Sequence, residues 1–163
     1  MAMTKKILRV LVLSFIVLAS VATDQVTKQL ARGSLKEKGT VHVLGNFLVL
    51  HYTENYGAFL GLGSDWPILL RRIIFGALSL ALVIGILVYA IRNKHSEIAD
   101  TVGMALIIGG GIGNMIDRIV RGGSVSDFVN IGIGKVRTGI FNFADVFLIA
   151  GVVVIAIIQI KKR

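Results

Sequence analysis

Of the 163 residues, 55% are hydrophobic and 17% charged, against about a quarter charged in a soluble domain, so the chain reads as one integral membrane unit. The net charge of +9 does not argue for a nucleic-acid partner, because the basic residues sit at the edges of apolar runs, where they anchor to interfaces and set topology. No cysteine is present, which excludes disulfides, a thiolate nucleophile, Cys-based metal sites and lipid attachment to the chain itself.

The sequence predicts a mainly α membrane protein of a single domain over 1–163, with four transmembrane helices and a small extracytoplasmic β-sheet or hairpin element. The first span covers about 7–23. Its Lys5-Lys6, apolar run and Ser20-Val21-Ala22 resemble a cleavable signal, but an uncleaved span gives an even count with both ends basic. The stretch from Thr40 to Tyr52 is β-branched and partly alternating around Gly45-Asn46, so a hairpin is expected within 40–60. The second span covers about 68–91, directly after Pro67, the only proline, and the third about 101–120. A second β-like stretch, 128–141, carries Gly132, Gly134 and Gly139 and is expected to turn back. The fourth span covers about 143–160.

Lys5, Lys6, Arg9, Arg92, Lys94, Lys161, Lys162 and Arg163 crowd into short segments on one side, while the other basic residues spread over long ones. Density rather than raw count therefore puts both termini in the cytoplasm and the long connections outside. Every unusual polar residue then falls toward the outer face.

Two aspartates stand out: Asp127 in Val125-Ser126-Asp127-Phe128, and Asp145 in Phe141-Asn142-Phe143-Ala144-Asp145. Carboxylates are costly at membrane depth and mark functional sites there. If the β-like stretch folds back, the two meet, and a pair sharing one proton becomes available. Asn142 fits the N-cap of the fourth helix or a substrate contact, and Asp145 lies in its first turn, where the helix dipole favours an anion.

Asp24 and Lys28 share a helix face at i, i+4 spacing and read first as an interfacial ion pair. The third span holds Gly109-Gly110-Gly111-Ile112-Gly113-Asn114, whose glycines suit close helix packing. Asn114, Asp117 and Arg118 follow at i, i+3 and i+4. Asp117 and Arg118 fit a structural salt bridge as well as catalysis, and the Arg118 fork also suits a substrate carbonyl. Asn55-Tyr56-Gly57-Ala58-Phe59 alone reads as a turn.

Other chemistries fail on inventory. His42, His51 and His95 are scattered without a zinc pattern, the glycines form no phosphate loop, and no Gly-x-Ser-x-Gly elbow occurs. A serine–lysine dyad of Ser124 or Ser126 with Lys135 has nothing specific behind it.

Five blocks together resemble the lipoprotein signal peptidase (signal peptidase II) family. They are Asp24-Gln25-Val26-Thr27-Lys28, Asn55-Tyr56-Gly57-Ala58-Phe59, Gly110-Gly111-Ile112-Gly113-Asn114-Met115-Ile116-Asp117-Arg118, Val125-Ser126-Asp127-Phe128 and Phe141-Asn142-Phe143-Ala144-Asp145. Each is weak alone, and five in the family's order are specific. The resemblance implies an aspartic endopeptidase of the bacterial inner membrane, with its active site toward the outer face. It would cleave prolipoproteins just before a diacylglyceryl-modified cysteine. Asp127 and Asp145 would be the catalytic pair; Asn55, Gly57, Asn114, Arg118 and Asn142 the substrate-binding set; and Asp24, Lys28 and Asp117 the supporting residues. No metal or cofactor is implied. The expected partners are the prolipoprotein and membrane lipids, not nucleic acid, and a monomer is expected. The competing readings are a proton-coupled transporter or channel subunit with Asp117, Asp127 and Asp145 as relay, and a non-catalytic scaffold.

Overall fold

A computed structural model describes residues 2–57, 63, 65–93 and 97–162. Ala58, Phe59, Lys94, His95 and Arg163 of the sequence reading lie outside the described residues. The order is α1 (Ala2–Lys38), β1 (Val41–Leu44), β2 (Leu48–Asn55), α2 (Ile68–Arg92), α3 (Ile98–Val120), β3 (Val125–Ile133), β4 (Val136–Arg137) and α4 (Phe143–Lys161). All four helices are long and apolar enough to cross a membrane.

Helix α1 departs most from the sequence reading. The apolar run fades near Thr23, yet the helix continues to Lys38 and stops only where Gly39 turns left-handed at φ 72°. No proline interrupts this stretch, and its inner side finds something to pack on. Ala31 and Leu35 are buried with Phe128, and Val41, Leu50, Tyr52, Val129 and Phe143 close around them. The extension of α1 is therefore the support on which the sheet rests, since a helix end without burial would fray.

Helix α3 is the centre of the bundle, and its glycines decide how. A Cβ on Gly109 would stand 2.6 Å from Ser20 of α1, and one on Gly111 2.6 Å from Val83 of α2. At Gly110 it would collide with the Ala144 carbonyl of α4. Three successive glycines thus admit three different helices, each at backbone range. Without a hydrophobic drive between helices in lipid, such close approach is the main source of association.

The sheet is an antiparallel meander in the order β1-β2-β3-β4. Gly45 at φ 53° makes the expected β1–β2 turn. Strand β3 begins earlier than the β-like stretch suggested, so Asp127 lies inside it, opposite Thr53. The chain folds back as expected: Phe141 pairs with Val129. Of the glycines assigned to turns there, Gly134 sits in one at φ 57°. Gly132 instead lies within β3, where a Cβ would meet the Val136 carbonyl at 2.5 Å.

Candidate active site

Strand β3 and the start of α4 bring the two aspartates to one place. Asn142 is extended (φ −130°, ψ 180°) and caps α4: its Oδ1 accepts the Asp145 N–H at 3.0 Å, and its own N–H donates to Asp145 Oδ2 at 3.2 Å. The same side chain turns its Nδ2 toward Asp127 Oδ1 at 2.6 Å. Of the two readings offered for Asn142, the cap is the one formed here, and the other end of the same amide is taken by Asp127.

Asn114, on α3, completes the link. Its Nδ2 donates to Asp145 Oδ1 at 2.9 Å, and its Oδ1 accepts from Asn142 Nδ2 at 3.2 Å and Lys28 Nζ at 2.9 Å. Asn55, at the end of β2, donates through Nδ2 to Asp127 Oδ2 at 3.0 Å and accepts the Gly57 N–H at 2.9 Å. Asp127 is 2% exposed, whereas Asp145 is half-buried. Burial pushes the Asp127 carboxyl up to about 6; the nearby Asp145 charge adds to this, while the Asn55 and Asn142 amides and Lys28 oppose it.

The Asp24–Lys28 pair is not interfacial. Both side chains are fully buried, 2.8 Å apart, and Lys28 also lies 3.5 Å from Asp117. Asp24 Oδ1 accepts the Ala144 N–H at 2.9 Å, next to Asp145, and its Oδ2 fits into space that a Cβ on Gly113 would fill at 2.5 Å. The expected Asp117–Arg118 bridge gives way to other partners, since adjacent helix residues point apart. Asp117 takes the Ser126 N–H at 2.8 Å and Arg121 Nε at 3.1 Å. Arg118 donates Nη2 to the Gly57 carbonyl at 3.3 Å, and its buried Nε has no hydrogen-bond partner among the described residues.

Two contributors went unweighed in the sequence. Gln25 ties Asp24 Oδ2 to the Gly113 carbonyl at 3.1 and 3.0 Å, although it stands inside a recognised block. Arg121 was legible from its i, i+4 spacing to Asp117. The serine–lysine dyad falls: Ser124 and Ser126 are buried at the near end of β3, and Lys135 lies in the turn at its far end. Among the described residues no three His, Cys, Asp or Glu side chains form a group able to hold a metal ion.

The chain is thus a four-helix membrane-type bundle that holds a buried carboxylate beside a second one, both restrained by amides. The comparisons place it further. The model of the family described as signal peptidase (SPase) II matches residues 16–161, and the chain belongs to that family. It is 32% identical over 140 residues to a lipoprotein signal peptidase of Syntrophus aciditrophicus, covering 86% of each chain. It is 30% identical to that of Streptococcus pneumoniae over 98% of this chain and 95% of the other. A bacterial membrane enzyme solved by the in meso method at 2.3 Å superimposes with a TM-score of 0.77 at 29% identity, covering 94% of this chain and 87% of its own. A second, solved at 1.9 Å, gives 0.74 at 28% identity. The chain is thus a peptidase and a multi-pass protein of the bacterial inner membrane. The transporter reading finds no support.

Proposed function

We propose that Asp127 and Asp145 are the catalytic pair of an aspartic endopeptidase that cuts just before a cysteine carrying diacylglycerol. Membership of the family makes removal of signal peptides from prolipoproteins the activity of this chain. The observation that supports the aspartic assignment is the shared amide network, in which Asn142 bonds both carboxyl groups.

In the proposed reaction one aspartate is ionised and the other protonated. The anion takes a proton from water as the water oxygen attacks the scissile carbonyl carbon, and the acid donates a hydrogen bond to the carbonyl oxygen. The acid's proton passes to the carbonyl oxygen as the tetrahedral diol forms. The diol collapses when the proton taken from water is delivered to the leaving amine, the C–N bond breaks, and a diol hydroxyl returns its proton to the pair. The shared proton belongs to the pair. Asn114 and Asn142 direct their amides at the carboxylates, so their proposed role is to orient the pair. Arg118 has Nε available for a substrate carbonyl, and Asn55 and Gly57 border the same approach. The density of basic residues supports cytoplasmic termini and a site toward the outer face, with the substrate's acyl chains in the bilayer.

The test is cleavage of a diacylglyceryl-modified prolipoprotein in detergent with chelator present. Wild type should cleave, and folded Asp127→Asn and Asp145→Asn variants should not. Cleavage surviving in either variant would overturn the assignment.

A further inference from the structure

The far end of the sheet carries apolar side chains that stay exposed among the described residues. Ile133 is 76% exposed, Val136 82%, Leu44 62% and Phe47 49%. They belong to two adjacent turns, because Leu48 of β2 pairs with Ile131 of β3, next to the β3–β4 turn. The Gly132 N–H donates to the Phe47 carbonyl at 2.9 Å, and Arg137 Nη1 donates to the Asn46 carbonyl at 2.5 Å. The two tips are therefore tied into one structure.

Strand register puts most of these side chains on one face. Directly opposed residues share a face and alternate residues repeat it. Leu44 opposes Leu48, Leu48 opposes Ile131, and Ile133 opposes Val136. Along β3 the same face runs from Ile133 through Ile131 to Val129. There the Phe128 and Val129 N–H groups both donate to the Phe141 carbonyl and the register against β2 shifts, so the alternation stops short of Asp127. Near the aspartates this face rests on protein: Val129 and Leu50 pack against the group formed by Ala31, Leu35 and Phe128. About 13 Å further out, at roughly 3.3 Å per residue from Val129 to Ile133, the face is still apolar and is exposed. A face that covers membrane helices at one end and is bare at the other has a natural continuation, which is the lipid beside those helices.

The charge around the tip fits a headgroup layer. Lys135 is exposed in the β3–β4 turn, at the tip itself, whereas Lys36 and Lys38 are exposed at the opposite end of β1, where α1 hands over to the sheet. His42 faces the Gly45 carbonyl and Arg137 is occupied in tying the tips together. Exposed apolar side chains beside a lysine are the pattern of a surface-lying membrane element, where a basic residue near an anionic surface adds to binding.

We propose that the paired hairpin tips form a second membrane contact, in which Leu44, Phe47, Ile133 and Val136 enter the leaflet on the side of the aspartates and Lys135 recognises anionic phospholipid headgroups. The sheet then lies along the bilayer surface, fixed at one end by α1 and at the other by lipid. Strand β3 holds Asp127 at constant depth between the two. The contact does not depend on the catalytic assignment, because lipid contact is read without turnover.

The experiment uses the full chain in bilayers with tryptophan introduced as Val136→Trp in a Trp66→Phe background. Lipids brominated on their acyl chains should quench this tryptophan, its emission should shift to the blue, and iodide in the water should not reach it. Adding Lys135→Glu should weaken the lipid-dependent signal about fivefold in bilayers containing phosphatidylglycerol and leave it unchanged in phosphatidylcholine alone. Full access to iodide with no bromolipid quenching would place the tip in water and overturn the proposal. Protection that rises with protein concentration, rather than with bromolipid, would assign the pad to a second copy and equally overturn it. Equal effects of Lys135→Glu in both lipids would remove the anionic recognition.

Discussion

Replacing Asn142 separates the two functions that its amide combines. In Asn142→Ala the α4 cap is lost, which costs about 1 kcal/mol. The buried Asp127 Oδ1 also loses its 2.6 Å partner, and a hydrogen bond to a charged group contributes about 1.5–3 kcal/mol. The sum is about 2.5–4 kcal/mol, or a fall in unfolding midpoint of about 10 °C for a chain of this length. Asn142→Ser restores an oxygen for the Asp145 N–H but supplies no Nδ2 for Asp127. It should recover the cap's share of stability, about 1 kcal/mol, and none of the turnover. Loss of orientation at a reacting carboxylate costs on the order of 100-fold, so kcat should fall by that factor in both variants with KM nearly unchanged. Thermal unfolding in detergent and steady-state cleavage of a lipid-modified prolipoprotein give the two readouts. A serine variant with wild-type kcat would refute the claim that the Asn142–Asp127 bond orients the pair. Equal stability of the serine and alanine variants would refute the cap.

Three further outcomes follow from the same geometry. Because Asp127 is raised to about 6 in the folded protein, the native state holds its proton more tightly than the unfolded chain, and stability falls as pH rises from about 4 to 6. Asp127→Asn should remove that slope and stabilise the protein at neutral pH, by up to about 3 kcal/mol, with no gain near pH 3; parallel unfolding curves for both proteins across pH would refute it. Lys28→Met leaves Asp24 buried and unpaired and should cost about 3–5 kcal/mol, while Lys28→Met with Asp24→Asn should recover much of it; a double variant no more stable than the single would contradict the pairing. Gly110→Ala should destabilise by about 1–3 kcal/mol because its Cβ meets the Ala144 carbonyl, whereas Gly85→Ala, with open space around it, should be neutral or stabilising; equal effects in an unfolding assay would undo the packing argument.

The sequence announced elements better than their partners. Composition and run length located all four spans, and Gly45-Asn46 located the hairpin turn, because both signals are local. The meeting of Asp127 with Asp145 was legible from the glycines between them, and capping by Asn142 from its place before an apolar run. The continuation of α1 to Lys38 was not, since hydropathy reports where lipid ends and not where a helix ends. Nor was the burial of Lys28: an i, i+4 pair looks alike at an interface and in a core. What buries it is the missing side chain of Gly113 on another helix, which gives Asp24 room. Asp117 was offered Arg118 by adjacency, but helix geometry favours Arg121 four residues on and Lys28 from α1.

The buried ammonium also explains how a pair of carboxylates from different elements keeps one arrangement. An asparagine amide is nearly symmetric in shape, and Asn114 would fit its space either way round. Lys28 has donors only, so the Asn114 oxygen must face it, and the Asn142 amide makes the same demand. Nδ2 of Asn114 is then left pointing at Asp145. Asn142 is fixed in turn, because its oxygen is committed to the Asp145 N–H and its nitrogen to Asp127. The orientation of both carboxylates therefore traces to one charge on α1, far from them in sequence. That charge is itself held by Asp24 and Asp117, and Asp24 is held by the backbone beside Asp145. Such a closed set has no member that can be removed singly without leaving a buried polar group unpaired, which is costlier than never having had the network. A rigid pair is what the proposed proton sharing requires, because it depends on the separation and orientation of the two carboxyl groups.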